Sequence, residues 1–312
     1  MLTNMTRTAI AAAFLTMLAT GAQAQQVKLM TGPQGGSWYP LGGAIANIAD
    51  KAGLKVQVLP GAGIANVKAI QAGKADMGFA NSISTVDGVA GRAPFTEPAG
   101  NVCNVATLYP QFFQIVTNAD SGINSLGDIK GKPIAVQPKG NTAEFISQQA
   151  LGVYGMKYGD ASRVSYVSYT DAVSLMKDNN AQLFTLGTTV PASAIMDLAS
   201  ARDIRIIGID DAKFQEMRKL NPGYTKLTIP AGSYPKQDKD VQTIGYATHV
   251  IARCDLDPAV VKAVLKGMID NQGDLAAIAK AMGKTTPKMM AEDIGVPLHK
   301  GAAAFYKEAG IL

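Results

Sequence analysis

The apolar positions of this chain change period many times, and the changes follow one order. Val27-Lys28-Leu29-Met30 is a short apolar strand, after which Leu41, Ala44, Ile45, Ile48 and Ala49 recur at the spacing of one helical face. Gly53 closes that helix. Residues 54–59 alternate as a second strand, and Pro60-Gly61-Ala62-Gly63 turns the chain. Residues 64–71 are helical with Gly73 as the stop, and residues 75–80 make a third strand. Such a β-α-β-α-β run predicts a parallel sheet whose loops at the carboxyl strand ends form a crevice. The loops at 34–39, 61–64 and 81–84 fall there.

Residues 102–118 are rich in β-branched and aromatic side chains, a β pattern much longer than an ordinary strand. The alternation then restarts. Residues 134–137 read as a strand, Pro138-Lys139-Gly140-Asn141-Thr142 as a second glycine-bearing loop, and 142–151 as a helix. A strand at 164–167, a helix capped by Thr170 or Asp171 and running to Lys177, and a strand at 182–185 follow. Gly187-Thr188-Thr189-Val190-Pro191 leads into a helix at 192–201 and a strand at 204–209. After a polar, proline-containing stretch at 221–240, residues 241–253 form a second long β pattern, and the remainder is helical. The simplest architecture is α/β, with two Rossmann-like α/β domains joined by two crossover strands that act as a hinge. Residues 25–112 begin domain 1, residues 113–240 form the inserted domain 2, and residues 241–312 return to domain 1. One large sheet of about eight strands is the alternative.

Composition narrows the class. The 312 residues, 47% hydrophobic and 17% charged, are those of an ordinary globular protein with room for two domains. Arg7, the largely apolar residues 9–18 and Ala22-Gln23-Ala24 read as a secretory leader cleaved after Ala24. Its apolar run is well short of the roughly 20 residues a spanning helix needs. A periplasmic, monomeric protein without stable membrane insertion is expected. The net charge of +5 is spread without a basic block and without interleaved aromatics, which argues against nucleic acid as a partner. The two cysteines, Cys103 and Cys254, follow the leader, and with His249 and the remote His299 they are too few for a zinc site. No cofactor or metal is expected. The chain has no Gly-x-Ser-x-Gly elbow, P-loop or His-Glu-x-x-His helix, so no catalytic residue is assigned and an enzyme is not expected. His249, in an apolar strand, reads as structural.

The candidate chemistry concentrates in the loop Thr31-Gly32-Pro33-Gln34-Gly35-Gly36-Ser37-Trp38-Tyr39-Pro40-Leu41-Gly42-Gly43. Gly36 and its neighbours allow backbone N–H groups close to a bound group, and a helix beginning near Pro40 aims its positive end the same way. Ser37 supplies a hydroxyl, while Trp38 and Tyr39 supply apolar area with a polar tip; core packing is the other reading of Trp38. Asn81 and Ser82 stand at a strand end, as ligand donors or as a helix cap. On the opposite wall, Asn141 and Thr142 with the N–H groups of their helix suit a carboxylate. Lys139 adds a charge-assisted bond there or stays a solvated surface lysine. Thr188 follows a strand in the same way. Tyr109 and Tyr246, in the two long strands, line the cleft floor or merely pack.

In this order the features resemble a type II periplasmic solute-binding protein, and several motifs resemble the TAXI branch of TRAP-transporter receptors. Gly35-Gly36-Ser37-Trp38-Tyr39-Pro40-Leu41-Gly42-Gly43 is similar to the family's Gly-Gly-Thr-Tyr-Tyr-Pro-Leu-Gly-Gly loop, and Gly73-Lys74-Ala75-Asp76-Met77-Gly78 to its Gly-Glu-Ala-Asp-Leu-Gly. Leu108-Tyr109-Pro110, residues 120–126 and the tail at 296–310 are similar to family segments at the same relative places. The resemblance implies a receptor that captures a small organic anion, with a carboxylate as the leading class, by domain closure. It also implies delivery to an integral membrane TRAP permease; a receptor for a membrane sensor kinase is the alternative. Two departures bear on the ligand. Asn81-Ser82-Ile83 stands where many relatives have Gln-Ser-Asp, and Lys139 where small residues or proline are usual, so the cleft is expected to be more positive. If the two long strands run antiparallel side by side, Cys103 at the start of one meets Cys254 at the end of the other. A disulfide is expected there, with a free buried pair as the alternative.

Overall fold

The computed structural model describes residues 26–221 and 223–312, so the leader lies outside the described residues. Alternating short strands and helices follow from its first elements. These are β1 (Val27–Met30), α1 (Trp38–Lys51), β2 (Val56–Leu59), α2 (Gly63–Gln71) and β3 (Met77–Asn81), with β1 paired in parallel to both β2 and β3. α3 (Ser82–Val89) follows β3 directly. Its pattern is masked because the buried face carries Ser84, Thr85 and Asp87 beside Ile83. Helix α1 begins at Trp38, two residues earlier than the proline suggests, since a proline is tolerated anywhere in the first turn.

The second half comprises β4 (Val102–Asn118), β5 (Pro133–Val136), α4 (Thr142–Val153), β6 (Arg163–Tyr166), α5 (Tyr169–Lys177), β7 (Leu183–Thr188), α6 (Ser193–Ala201) and β8 (Ile204–Ile207). α7 (Asp211–Leu220), β9 (Thr225–Ile229) and β10 (Val241–Arg253) come next. α7 and β9 have faint signatures for a physical reason. α7 buries only Phe214 and Met217, and β9 is a mostly exposed edge strand, paired only with the next strand, β10. The chain ends with α8 (Pro258–Asp270), α9 (Gln272–Ile278), α10 (Pro287–Met290) and α11 (Lys300–Glu308).

β4 and β10 run antiparallel through both halves of the molecule. The first part of β4 pairs with β10, while residues 112–117 pair with β7 on one side and 115–118 with β8 on the other. β10 likewise pairs with β9 at one end and with β3 at the other. Hydrogen bonding is therefore continuous through ten strands, in the order β2-β1-β3-β10-β4-β7-β5-β6 with β8 on β4 and β9 on β10. Packing is divided. Leu41, Ile45, Val261, Leu265 and Tyr306 belong to a core on the first part of the sheet. Separate cores in the second part gather Ile146, Phe214 and Met217, and Val173, Ile195 and Leu198. Two α/β lobes thus share two crossover strands. The β4–β10 register slips between Ala247 and His249, beside Pro110, which has no N–H to give the ladder.

Cys103 and Cys254 form a disulfide, with Cα atoms 5.1 Å apart, at the end of the ladder where Ala252 pairs with Cys103. The tail motif serves packing. A side chain on Gly301 would run into the backbone of Pro258, and Tyr306 donates to the Val105 carbonyl at 3.0 Å.

His249 is fully buried, with Nε2 2.7 Å from Thr85 Oγ1 and Nδ1 3.0 Å from Asn104 Oδ1. Burial pushes its pKa down to about 3, so below pH 6.5 the unfolded chain binds a proton that the folded protein does not. Stability should therefore fall between pH 6.5 and 5, by up to about 1.4 kcal/mol per pH unit. Urea unfolding across that window checks this. His249→Gln should flatten the slope, and a slope that survives would assign the effect to His299, whose ring is lowered in the same sense by burial.

Candidate functional site

The N-terminal ends of five helices meet between the lobes. Ser37 and Trp38 at the start of α1, Gly63 of α2, Asn81 before α3, Asn141 and Ala143 of α4, and Tyr169 of α5 all line one cavity. The cavity is narrow, about 20 Å³, room for roughly one water molecule with the lobes in this position. Each helix end contributes a partial positive charge and N–H groups that have no partner within the helix. Among the described residues, the N–H groups of Ser37, Trp38 and Gly63, which line the cavity, have no protein acceptor. No acidic or basic side chain among the described residues lines the cavity.

Several of the expected residues line this space. Gly36, Ser37, Trp38, Asn81, Asn141, Thr188 and Tyr246 do so. Trp38 also packs, its ring stacked on Phe79 with centroids 5.6 Å apart. Asn141 caps α4, its Oδ1 accepting from the Ala143 N–H at 2.8 Å.

Others stand elsewhere. Tyr39 points outward, 39% exposed, on the solvent side of α1. Ser82 accepts from the Ala247 N–H at 3.1 Å and so ties α3 to β10. Thr142 bonds Ser84 across the lobes at 2.9 Å. Tyr109 lies buried beneath Ser37, its hydroxyl 3.4 Å from Ser37 Oγ, and desolvation pushes its pKa up to about 12. Lys139 is exposed and sits over the Tyr166 ring, 5.4 Å from the centroid, which lets it keep its hydration while gaining a cation–π contact. Ile83 turns away from the cavity into an apolar cluster with Phe113, Tyr224 and Tyr246. Neither departure makes the cleft positive; the helix ends do.

Four of the seven further lining residues shape the site, the others being Gly32, Pro33 and Ala143. Gln111, in the middle of β4, is oriented so that its carbonyl accepts from Trp38 Nε1 at 2.6 Å and Thr248 Oγ1 at 2.8 Å while its amide donates to the Gly187 carbonyl at 3.1 Å. Tyr169 donates its hydroxyl to the Gly187 carbonyl at 3.0 Å and accepts from the Gly187 N–H at 3.1 Å. Gly187 is required because a Cβ there would collide with the Tyr246 hydroxyl. Gly63 is the fourth. A glutamine inside a long apolar β pattern, one of two there with Gln114, is the one available signal for Gln111; Tyr169 and the two glycines carry none, because their role depends on what faces them. The buried Tyr246 side chain reaches the cavity wall, and desolvation keeps it a protonated phenol.

Contacts from one lobe to the other surround the cavity. Ser37 Oγ lies 3.4 Å from Thr188 Oγ1, the Ala65 N–H donates to the Gly140 carbonyl at 3.0 Å, and Ser193 donates to the Gly35 carbonyl at 3.3 Å. Asn221 donates to Asp87 at 2.8 Å. All of these bonds break if the lobes part, so the structure is a closed form.

The architecture is shared with known structures. A structure from Bordetella bronchiseptica RB50 matches 92% of this chain and 89% of its own at 18% identity, with a TM-score of 0.53. XAC2383 from Xanthomonas citri, bound to ATP, matches 92% and 96% at 13% identity with a TM-score of 0.50. An ancestral arginine-binding protein bound to arginine matches 82% and 96% at 16% identity with the same score. At these identities the likeness is one of fold, that of the type II periplasmic binding proteins. In sequence, residues 29–310 match the NMT1-like family, and the chain belongs to that family.

Proposed function

We propose that this protein is an exported, periplasmic solute-binding receptor that closes its lobes over a small organic anion, with a carboxylate as the leading class. The observation that carries the reading is the meeting of five helix N-termini on a cavity with no acidic side chain. Closure excludes water and so strengthens each hydrogen bond to the anion. Residues 25–112 and 241–312 act as one rigid body and 113–240 as the other, with bending at the slipped register near Pro110 and Ala247. Gly36, Ser37, Trp38, Asn81, Asn141, Thr188 and Tyr246 contact the ligand. Its activity is binding rather than turnover. Delivery to a TRAP membrane permease rests on the resemblance of the opening loop and the tail, and a permease gene next to this one would support it.

A thermal-shift screen of dicarboxylates, amino acids, keto acids, sulfonates and neutral sugars tests the anion. A ligand at about 100 times its Kd should stabilise the protein by about 2.7 kcal/mol. A shift with neutral sugars alone would overturn the reading.

A further inference from the structure

We infer that the ligand is an anion without an ammonium group, a 2-oxo or hydroxy acid rather than the matching amino acid. The inference rests on the anion reading above and adds which anions are refused. The cavity is rich in donors and poor in acceptors. Its free donors are the N–H groups of Ser37, Trp38 and Gly63, and the hydroxyl of Tyr246 on the cavity wall can also donate. Several of its acceptors are already engaged. The Pro33 carbonyl takes the Gly36 N–H at 3.2 Å, and the Gly187 carbonyl takes the Tyr169 hydroxyl at 3.0 Å. Asn141 Oδ1 takes the Ala143 N–H at 2.8 Å, and the neighbouring Thr31 carbonyl takes Asn66 Nδ2 at 2.7 Å.

An α-ammonium group brings three donors and a positive charge into this space, where it meets helix ends of the same sign. The acceptors left are the neutral side chains of Asn81, Ser37 and Thr188. No carboxylate is placed to compensate. Asp87 is held by Arg92 at 2.8 Å and by Asn221 at 2.8 Å, and Glu144 is turned to Gln148 on the far face of α4. A buried charge without a partner is costly, so the amino acid is rejected. An oxo or hydroxyl group at the same carbon carries no charge, and an oxo group can accept from the Tyr246 hydroxyl.

Calorimetric titration of the purified exported chain with matched pairs decides this: pyruvate and alanine, 2-oxoglutarate and glutamate, 4-methyl-2-oxopentanoate and leucine, with glucose as a neutral control. Within any pair that binds, the oxo acid should bind at least 100-fold more tightly. An amino acid within tenfold of its oxo acid would overturn the inference and leave the anion reading standing. Binding of glucose and of no acid would overturn both. Asn81→Asp places one carboxylate in the cavity and should weaken the oxo acid at least tenfold while narrowing the ratio within the pair. An unchanged ratio in a variant that still melts cooperatively would also overturn the inference, because the ligand would then lie away from Asn81.

Discussion

Gly63→Ala should weaken ligand binding at least 100-fold, about 2.7 kcal/mol, while the ligand-free protein stays folded. Gly63 opens α2 in the first lobe, and a Cβ at its position would press into Thr142 Oγ1 of the second lobe, with Thr142 Cβ at 3.2 Å. Thr142 cannot yield easily, because it bonds Ser84 and begins α4. Within its own lobe the new methyl meets only the end of the Asn81 side chain, at 2.7 Å, which can turn aside. The substitution therefore acts on closure and spares the open form, where alanine is a better helix former than glycine. Calorimetric titration and a thermal melt together check it. Gly63→Ala combined with Thr142→Ala should recover part of the lost affinity, and failure to do so would show that the block is not steric.

Replacing both Cys103 and Cys254 by alanine should lower Tm by about 10 °C and leave affinity within about twofold. The bridge joins residues 151 positions apart, so in the chain-entropy account it restrains a long loop of the unfolded chain, worth about 3 to 5 kcal/mol. It sits at the end of the β4–β10 ladder inside the first lobe, on the far side of the register slip from the second lobe. Closure does not strain it. Scanning calorimetry of the variant with and without ligand measures both effects, and a loss of affinity beyond tenfold would mean that the bridge also sets the hinge.

The outcome for particular residues shows why parts of the site were legible. Ser37, Trp38 and Gly36 were found because a loop between a strand and a helix in a β-α-β unit must lie at the carboxyl edge of the sheet. Asn81, Asn141 and Thr188 were found by the same rule. Tyr39 and Lys139 come from the same loops but point elsewhere, since the rule places a backbone and not a side chain direction. Gln111 and Tyr169 were missed because their partners, Trp38 and Gly187, are far away in the chain. The expectation of a more positive cleft from Ile83 and Lys139 weighed side-chain charge alone, whereas the field in the cavity comes from backbone ends.

The chain alone determined what depends on near neighbours. Periodicity and turn residues set the alternation of strands and helices, the two long strands and the loops that could hold a ligand, because each rests on interactions within a few residues. The antiparallel pairing of β4 with β10, conditional in the sequence, became definite only when both strands and their cysteines met. Tertiary structure alone decided which loops face one another and which donors remain free. Those properties arise from groups brought together by packing, where one glycine matters for the threonine opposite it and another for the tyrosine hydroxyl it makes room for.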